Sequence, residues 1–142
     1  MKCLCATMRR SSRLLTRYYE KELRESGLTP AQFEIMAVLS GRRKVSQSEL
    51  AEVLVVDQTT LSRNMGVLIT RGWIIGTGSS GDKRRVVYSL SGPGGKIFRA
   101  AVPRWERAQK NMQRILGGEW ETTWSSIELI GEGVLREPDL AD

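Results

Sequence analysis

Gln58, Thr59, Ser62 and Arg63 lie opposite the apolar residues of one helical stretch. Short hydrogen-bonding side chains beside an arginine can read base edges in a DNA major groove. The same residue types also suit an ordinary solvated helix face, so the reading depends on their surroundings. A second group follows at Lys83, Arg84 and Arg85, at the end of a glycine-rich stretch that starts at Gly76. A flexible loop ending in three cations could lie along a phosphate backbone. The third candidates are Cys3 and Cys5, too close for an ordinary structural disulfide and too few, without histidine, for a metal site.

The elements that must position these groups can be read from start and stop signals. Ser46-Gln-Ser-Glu49 has the form of a capping box, in which the serine and the glutamate satisfy each other's backbone donors. It opens a short helix, Ser46 to Leu54. Asp57 caps a second, which runs to Arg71 with an apolar stripe at Leu61, Met65, Leu68 and Ile69. Gly72 stops it. Trp73-Ile74-Ile75 and Val86 to Leu90 are β-prone runs and predict a two-stranded hairpin with Gly76 to Arg85 as its loop.

Longer helices flank this centre. Residues 2–26 place Leu4, Met8, Leu15, Tyr19 and Leu23 near one face, with Arg9, Arg10, Arg13 and Arg17 around it, and Gly27 ends the run. Thr29-Pro30-Ala31-Gln32 starts another helix, with Thr29 as cap and Pro30 in the first turn, and Gly41 stops it. Ser91 can cap a long helix reaching about Gly117, with a kink expected near Arg99 to Pro103. A last helix carries Trp120, Trp124, Ile127 and Val134. The apolar faces of the terminal helices exceed what one small domain can cover, so a second copy of the chain is expected against them.

The chain of 142 residues is one domain's worth, with a net charge of +6. Residues 1–26 hold 7 basic and 3 acidic side chains, and 42–90 hold 8 and 4. Residues 97–142 hold 6 and 8, which puts the positive charge in the first two-thirds. Such a balance suits a polyanionic partner. The absence of histidine removes the commonest general base, no serine stands beside a base, and no glycine loop lies between a strand and a helix. An enzyme is therefore not expected, nor a cofactor or a metal. No apolar run reaches membrane-spanning length, no signal core precedes Arg9, and a cytoplasmic location is expected.

In this order, the elements make a winged helix-turn-helix, and the chain resembles the MarR family of bacterial transcriptional regulators. The resemblance is carried first by Asp82-Lys-Arg84, then Leu90-Ser91-Gly-Pro-Gly94, which fit the family's wing pattern with Ser91 for the usual threonine. Gly27-Leu28-Thr29, Ser48-Glu49-Leu50-Ala51, Val56 to Arg63 and Pro103-Arg-Trp105 also match.

The resemblance implies a mainly α fold of six helices with a two-stranded wing. It implies a single domain over 1–142, with a DNA-binding part at about 29–91 and dimerisation helices at about 2–26 and 92–136. It also implies a homodimer that binds a palindromic operator in double-stranded DNA and represses until a small aromatic or anionic effector releases it. Expected DNA contacts are Ser46, Gln47, Gln58, Thr59, Thr60, Ser62, Arg63, Asp82, Lys83, Arg84 and Arg85. Arg84 would enter the minor groove with Asp82 holding its guanidinium. Arg9, Arg13, Tyr18, Tyr19 and Phe33 are the expected effector walls.

Two alternatives stand beside this reading. One is a thiol-based oxidant sensor using Cys5, which lies where the hydroperoxide-sensing branch of the family has its reactive cysteine. Tyr19 falls at one of that branch's tyrosine partners, whereas Arg9 and Pro30 stand where it has two more. The other is a winged-helix module that binds protein.

Overall fold

The computed structural model describes residues 2–42, 44–79 and 82–137, with backbone alone for Ser79 and for 82–85. The chain forms two compact units, residues 1–107 and 108–142.

The first unit begins with α1 (Leu4–Leu23), extended by a 3-10 turn to Ser26. Gly27 closes it in the left-handed region at φ 73°. Thr29 then caps α2 (Pro30–Gly41), and the expected box is formed: the Gln32 N–H donates to the Thr29 hydroxyl and the Thr29 N–H to Oε1 of Gln32. α3 (Gln47–Leu54) and α4 (Gln58–Thr70) follow, joined by a turn in which Val55 adopts φ 50°. A β-branched residue is strained there. The Val55 and Val56 N–H groups close the end of α3 on the carbonyls of Glu52 and Ala51.

Among the described residues the sheet has three strands, not the two expected. β1 (Val45–Ser46), β2 (Ile74–Ser79) and β3 (Asp82–Leu90) are all antiparallel, in the order β1-β3-β2. Val45 pairs with Tyr88 and Ser46 with Val87. Two residues are too short to show a strand period, so β1 leaves no trace in the sequence pattern. The expected loop from Gly76 to Arg85 begins as paired backbone, because the ladder from Ile74↔Leu90 continues through Gly78↔Val86. Gly76 is needed in it: a Cβ there would come within 2.9 Å of Val86 and 3.1 Å of Tyr88.

The core of this unit joins Leu23, Leu28, Phe33, Ile35, Met36 and Leu39 to Val45, Leu50, Leu61, Met65, Leu68, Ile74 and Ala101. Ile69, expected in the buried stripe, is exposed; Leu61, Met65 and Leu68 alone form the floor of α4. α5 (Gly92–Leu116) enters the core with Phe98 and Trp105, which flank Phe33 at ring distances of 5.1 and 5.8 Å. Arg104 and Arg107 pair with Glu25 and Glu22.

The start of α5 is tied to the end of α4. The Ser91 hydroxyl accepts the Gly94 N–H at 2.9 Å and lies 2.6 Å from the Gly72 carbonyl, to which it donates. A Cβ on Gly94 would stand 1.9 Å from the Trp73 carbonyl oxygen, so no other residue fits. On the other side, Arg71 donates to the Gly27 carbonyl at 2.7 Å while its guanidinium lies 4.8 Å from the centre of the Trp73 ring. α5 continues as helix through Pro103.

The second unit contains the end of α5, a 3-10 turn at Gly117–Glu119 with Gly117 at φ 55°, and α6 (Trp120–Arg136). Trp120 and Trp124 pack together at 5.6 Å. The last two helices follow each other through that single turn, so among the described residues the six α-helices form five helical runs.

Candidate nucleic-acid interface

α4 is held by its buried side and offers the opposite one. Leu61, Met65 and Leu68 are at most 2% exposed, while Gln58, Thr59, Ser62 and Arg63 are exposed. Its first turn is fixed by Asp57, whose Oδ1 accepts the Thr60 N–H at 2.8 Å and whose Oδ2 accepts the Thr60 hydroxyl at 2.7 Å. These bonds, the hydroxyl's first, hold the Asp57 carboxyl below the usual carboxylate range, because they favour the charged form. The anion sits at the positive end of the helix dipole.

α3 supports this face from beside it. The side-chain amide of Gln47 donates to Oε1 of Gln58 at 3.1 Å and to the Ser62 hydroxyl oxygen at 2.6 Å. One α3 residue thus ties together two residues one turn apart on α4. Ser46 is buried, and its hydroxyl donates to Glu49 Oε2 at 2.6 Å while accepting the Glu49 N–H. It serves as the cap of α3. Thr60 is likewise engaged with Asp57, and Asn64 donates to the Thr60 carbonyl at 3.1 Å.

Along the wing the ladder passes from Gly78↔Val86 directly to Ser79↔Asp82, so Lys83, Arg84 and Arg85 have no β2 residue opposite them. An irregularity of this kind ends regular pairing and raises the local twist. The side chains of Asp82, Lys83, Arg84 and Arg85 lie outside the described residues, and with them the expected Asp82–Arg84 contact.

The other expected site residues lie on α1, at its start and on α2. Arg9 and Arg13 are exposed on α1. Tyr18 and Tyr19 are half-buried and meet edge to face at 5.7 Å. Burial first, and then the neighbouring Tyr18, push the Tyr19 phenol above its ordinary pKa. Phe33 is buried between Phe98 and Trp105 as part of the core. Cys3 and Cys5 are free and exposed at the start of α1. No helix among the described residues is long and apolar enough to cross a membrane.

Two features escaped the sequence reading. The Gln47–Gln58–Ser62 link joins positions 11 and 15 residues apart, and no local spacing announces it. The Arg71–Gly27 bond spans 44 residues, and its one visible hint was the glycine that ends the first helix.

A capped helix pair on a buried floor, followed by an antiparallel hairpin, is a winged helix-turn-helix. Known proteins carry the same arrangement. A MarR family model matches residues 26–85. The structure of the Mycobacterium tuberculosis transcriptional regulator MosR in complex with DNA is 33% identical, with a TM-score of 0.83 over 93% of this chain and 96% of that one. The transcriptional regulator HosA of Escherichia coli O111:H- is 28% identical over 92 residues, 65% of this chain and 68% of HosA. MarR of E. coli in its apo form, 21% identical with a TM-score of 0.72 over 95% of this chain and 98% of that one, shares the fold. The chain belongs to the MarR family.

Proposed function

We propose that the protein is a transcriptional regulator that binds double-stranded DNA as a homodimer. In this reading it acts as a single functional unit in the cytoplasm and has no enzymatic role. α4 enters the major groove with Gln58, Thr59, Ser62 and Arg63, supported by Gln47, and the wing brings Arg84, with Lys83 and Arg85, to the adjacent minor groove. The observation that carries this is the exposed polar face of α4 on its buried apolar floor. The DNA complex of the 33%-identical MosR supports the same use of the fold. A two-fold dimer places its two recognition helices about one helical turn apart, roughly 34–36 Å, so the operator is palindromic. Occupancy of such a site blocks transcription.

The dimer is supported by apolar side chains that the single chain leaves open: Leu4 and Leu14 on α1, and Leu129 and Leu135 on α6, are each 56–70% exposed. Fluorescence anisotropy with duplex DNA across a salt series tests the reading. Affinity should fall steeply as salt rises, since each neutralised phosphate releases counterions. Salt-independent binding, or no binding, would leave a protein-binding winged helix as the better account.

Release by a small aromatic or anionic molecule completes the proposal, with Arg9, Arg13, Tyr18, Tyr19 and Phe33 as its walls. Such a ligand acts through its unequal affinity for the DNA-competent and incompetent shapes. Calorimetry with aromatic carboxylates, with and without operator, tests it.

A second reading is favoured by the exposure of Cys5 in the first turn of α1. A thiol so exposed is open to an external oxidant. Its sulfur would take one oxygen from an organic hydroperoxide, giving a sulfenate and the alcohol. Peroxide should then weaken operator binding by wild type and not by Cys5→Ser. Equal effects on both would remove the thiol from the mechanism.

A further inference from the structure

The DNA-binding reading leaves open which bases α4 selects, and the link from Gln47 bears on that choice. A glutamine side chain is amphiprotic: its carbonyl accepts and its NH2 donates. An unrestrained glutamine pairs with adenine by using both, accepting from N6 and donating to N7. Gln58 is restrained. Its Oε1 already accepts from Gln47, which fixes the amide plane and leaves its two N–H donors available. Ser62 is in the same position: its oxygen accepts the second Gln47 hydrogen, and its own hydroxyl hydrogen remains to be given. Both Gln47 hydrogens are thereby used, and both α4 side chains are biased toward donation.

We propose that Gln47 sets the base preference of the neighbouring helix by making Gln58 and Ser62 hydrogen-bond donors, so that each operator half-site presents acceptor edges to them, guanine foremost. Guanine offers N7 and O6 together in the major groove, two acceptors for two donors. Adenine would need the Gln58 carbonyl oxygen to accept from N6 on its remaining lone pair while still turned toward Gln47, or to give up that bond, and either disfavours it against guanine. Gln47 is a positioning residue in this account, because it acts through Gln58 and Ser62. Arg63 is outside the link, and the base that it reads should be indifferent to Gln47.

The test is selection of bound duplexes from a library with randomised half-sites, using wild type, Gln58→Ala, Gln47→Ala and Gln47→Glu. Gln58→Ala identifies the position in question by relaxing it. Wild type should select guanine there. Gln47→Ala should shift the guanine-to-adenine ratio toward adenine by roughly ten-fold, the scale of one bidentate base contact. Gln47→Glu replaces the donor by a carboxylate that accepts from Gln58, turns the Gln58 carbonyl toward the DNA and should favour the amino groups of adenine or cytosine. Unchanged selection at the Arg63 position shows that the variants are folded and docked as before. Wild-type selection of adenine at the Gln58 position, or identical selection by wild type and both Gln47 variants, overturns the inference while the DNA-binding reading stands. Failure of wild type to bind any duplex overturns both.

Discussion

The helices α3 and α4 and the terminal helices α1 and α6 are amphipathic alike, yet they use their apolar faces differently. Leu50, Leu61, Met65 and Leu68 are at most 2% exposed, enclosed by their own chain. Among the described residues of α1, Leu23 is the one buried side chain, and α6 has none. Periodicity therefore specifies that a helix has an apolar side without specifying what covers it. In the centre the cover is intramolecular and the helix can present its polar side to a partner. At the ends the apolar side is itself what faces outward.

The comparison can be broken most forcefully in the core. Leu68→Ala should cost about 2–5 kcal/mol, the range for a fully buried leucine, and urea unfolding should show it as a lower midpoint. A loss below about 1 kcal/mol would mean that the centre is not the self-contained body described. The converse change is Leu129→Glu with Leu135→Glu on α6. These residues are 70% and 68% exposed. The double variant should keep its helical content and lose the proposed dimer, with the mass by light scattering falling from twice 15.9 kDa to 15.9 kDa. An unchanged dimer would move the interface elsewhere.

On the polar side, Arg84→Ala should weaken operator binding and lower the magnitude of the salt slope by about one, as loss of one phosphate or groove cation requires. It should leave base preference in the major groove unaltered. The smallest effect is expected at Asp57. Its native pKa lies below the unfolded value, so its contribution is present above about pH 4 and is lost as pH falls through the lower native value. Asp57→Ala should flatten the dependence of the urea midpoint on pH over that acid range.

The sequence was most readable where one residue acts on its near neighbours. The boxes at Thr29–Gln32 and Ser46–Glu49, the Asp57 cap and the Ser91 cap all form at the expected residues. The polar face of α4 was readable for the same reason, since it follows from spacing alone. What escaped depends on distant backbone. β1 exists because Val45 and Ser46 find Tyr88 and Val87, and the wing ladder outran its predicted length because glycine permits pairing where a side chain would collide. Ile69 matched the helical period but is exposed among the described residues.

The fit of Gly94 against the Trp73 carbonyl has a consequence for what the wing pattern reports. The pattern from Asp82 to Gly94 carries two messages in one string. Leu90, Ser91 and Gly94 encode a joint: Leu90 packs against the core, Ser91 bonds the end of α4, and Gly94 leaves the only space a backbone crossing allows. Asp82 and Arg84 carry, in the function proposed above, the reach toward a partner. A descendant of this chain could abandon the second message and keep the first, and it would still be matched, aligned and folded as a relative while having ceased to read DNA. The glycine testifies to ancestry, and the arginine to occupation.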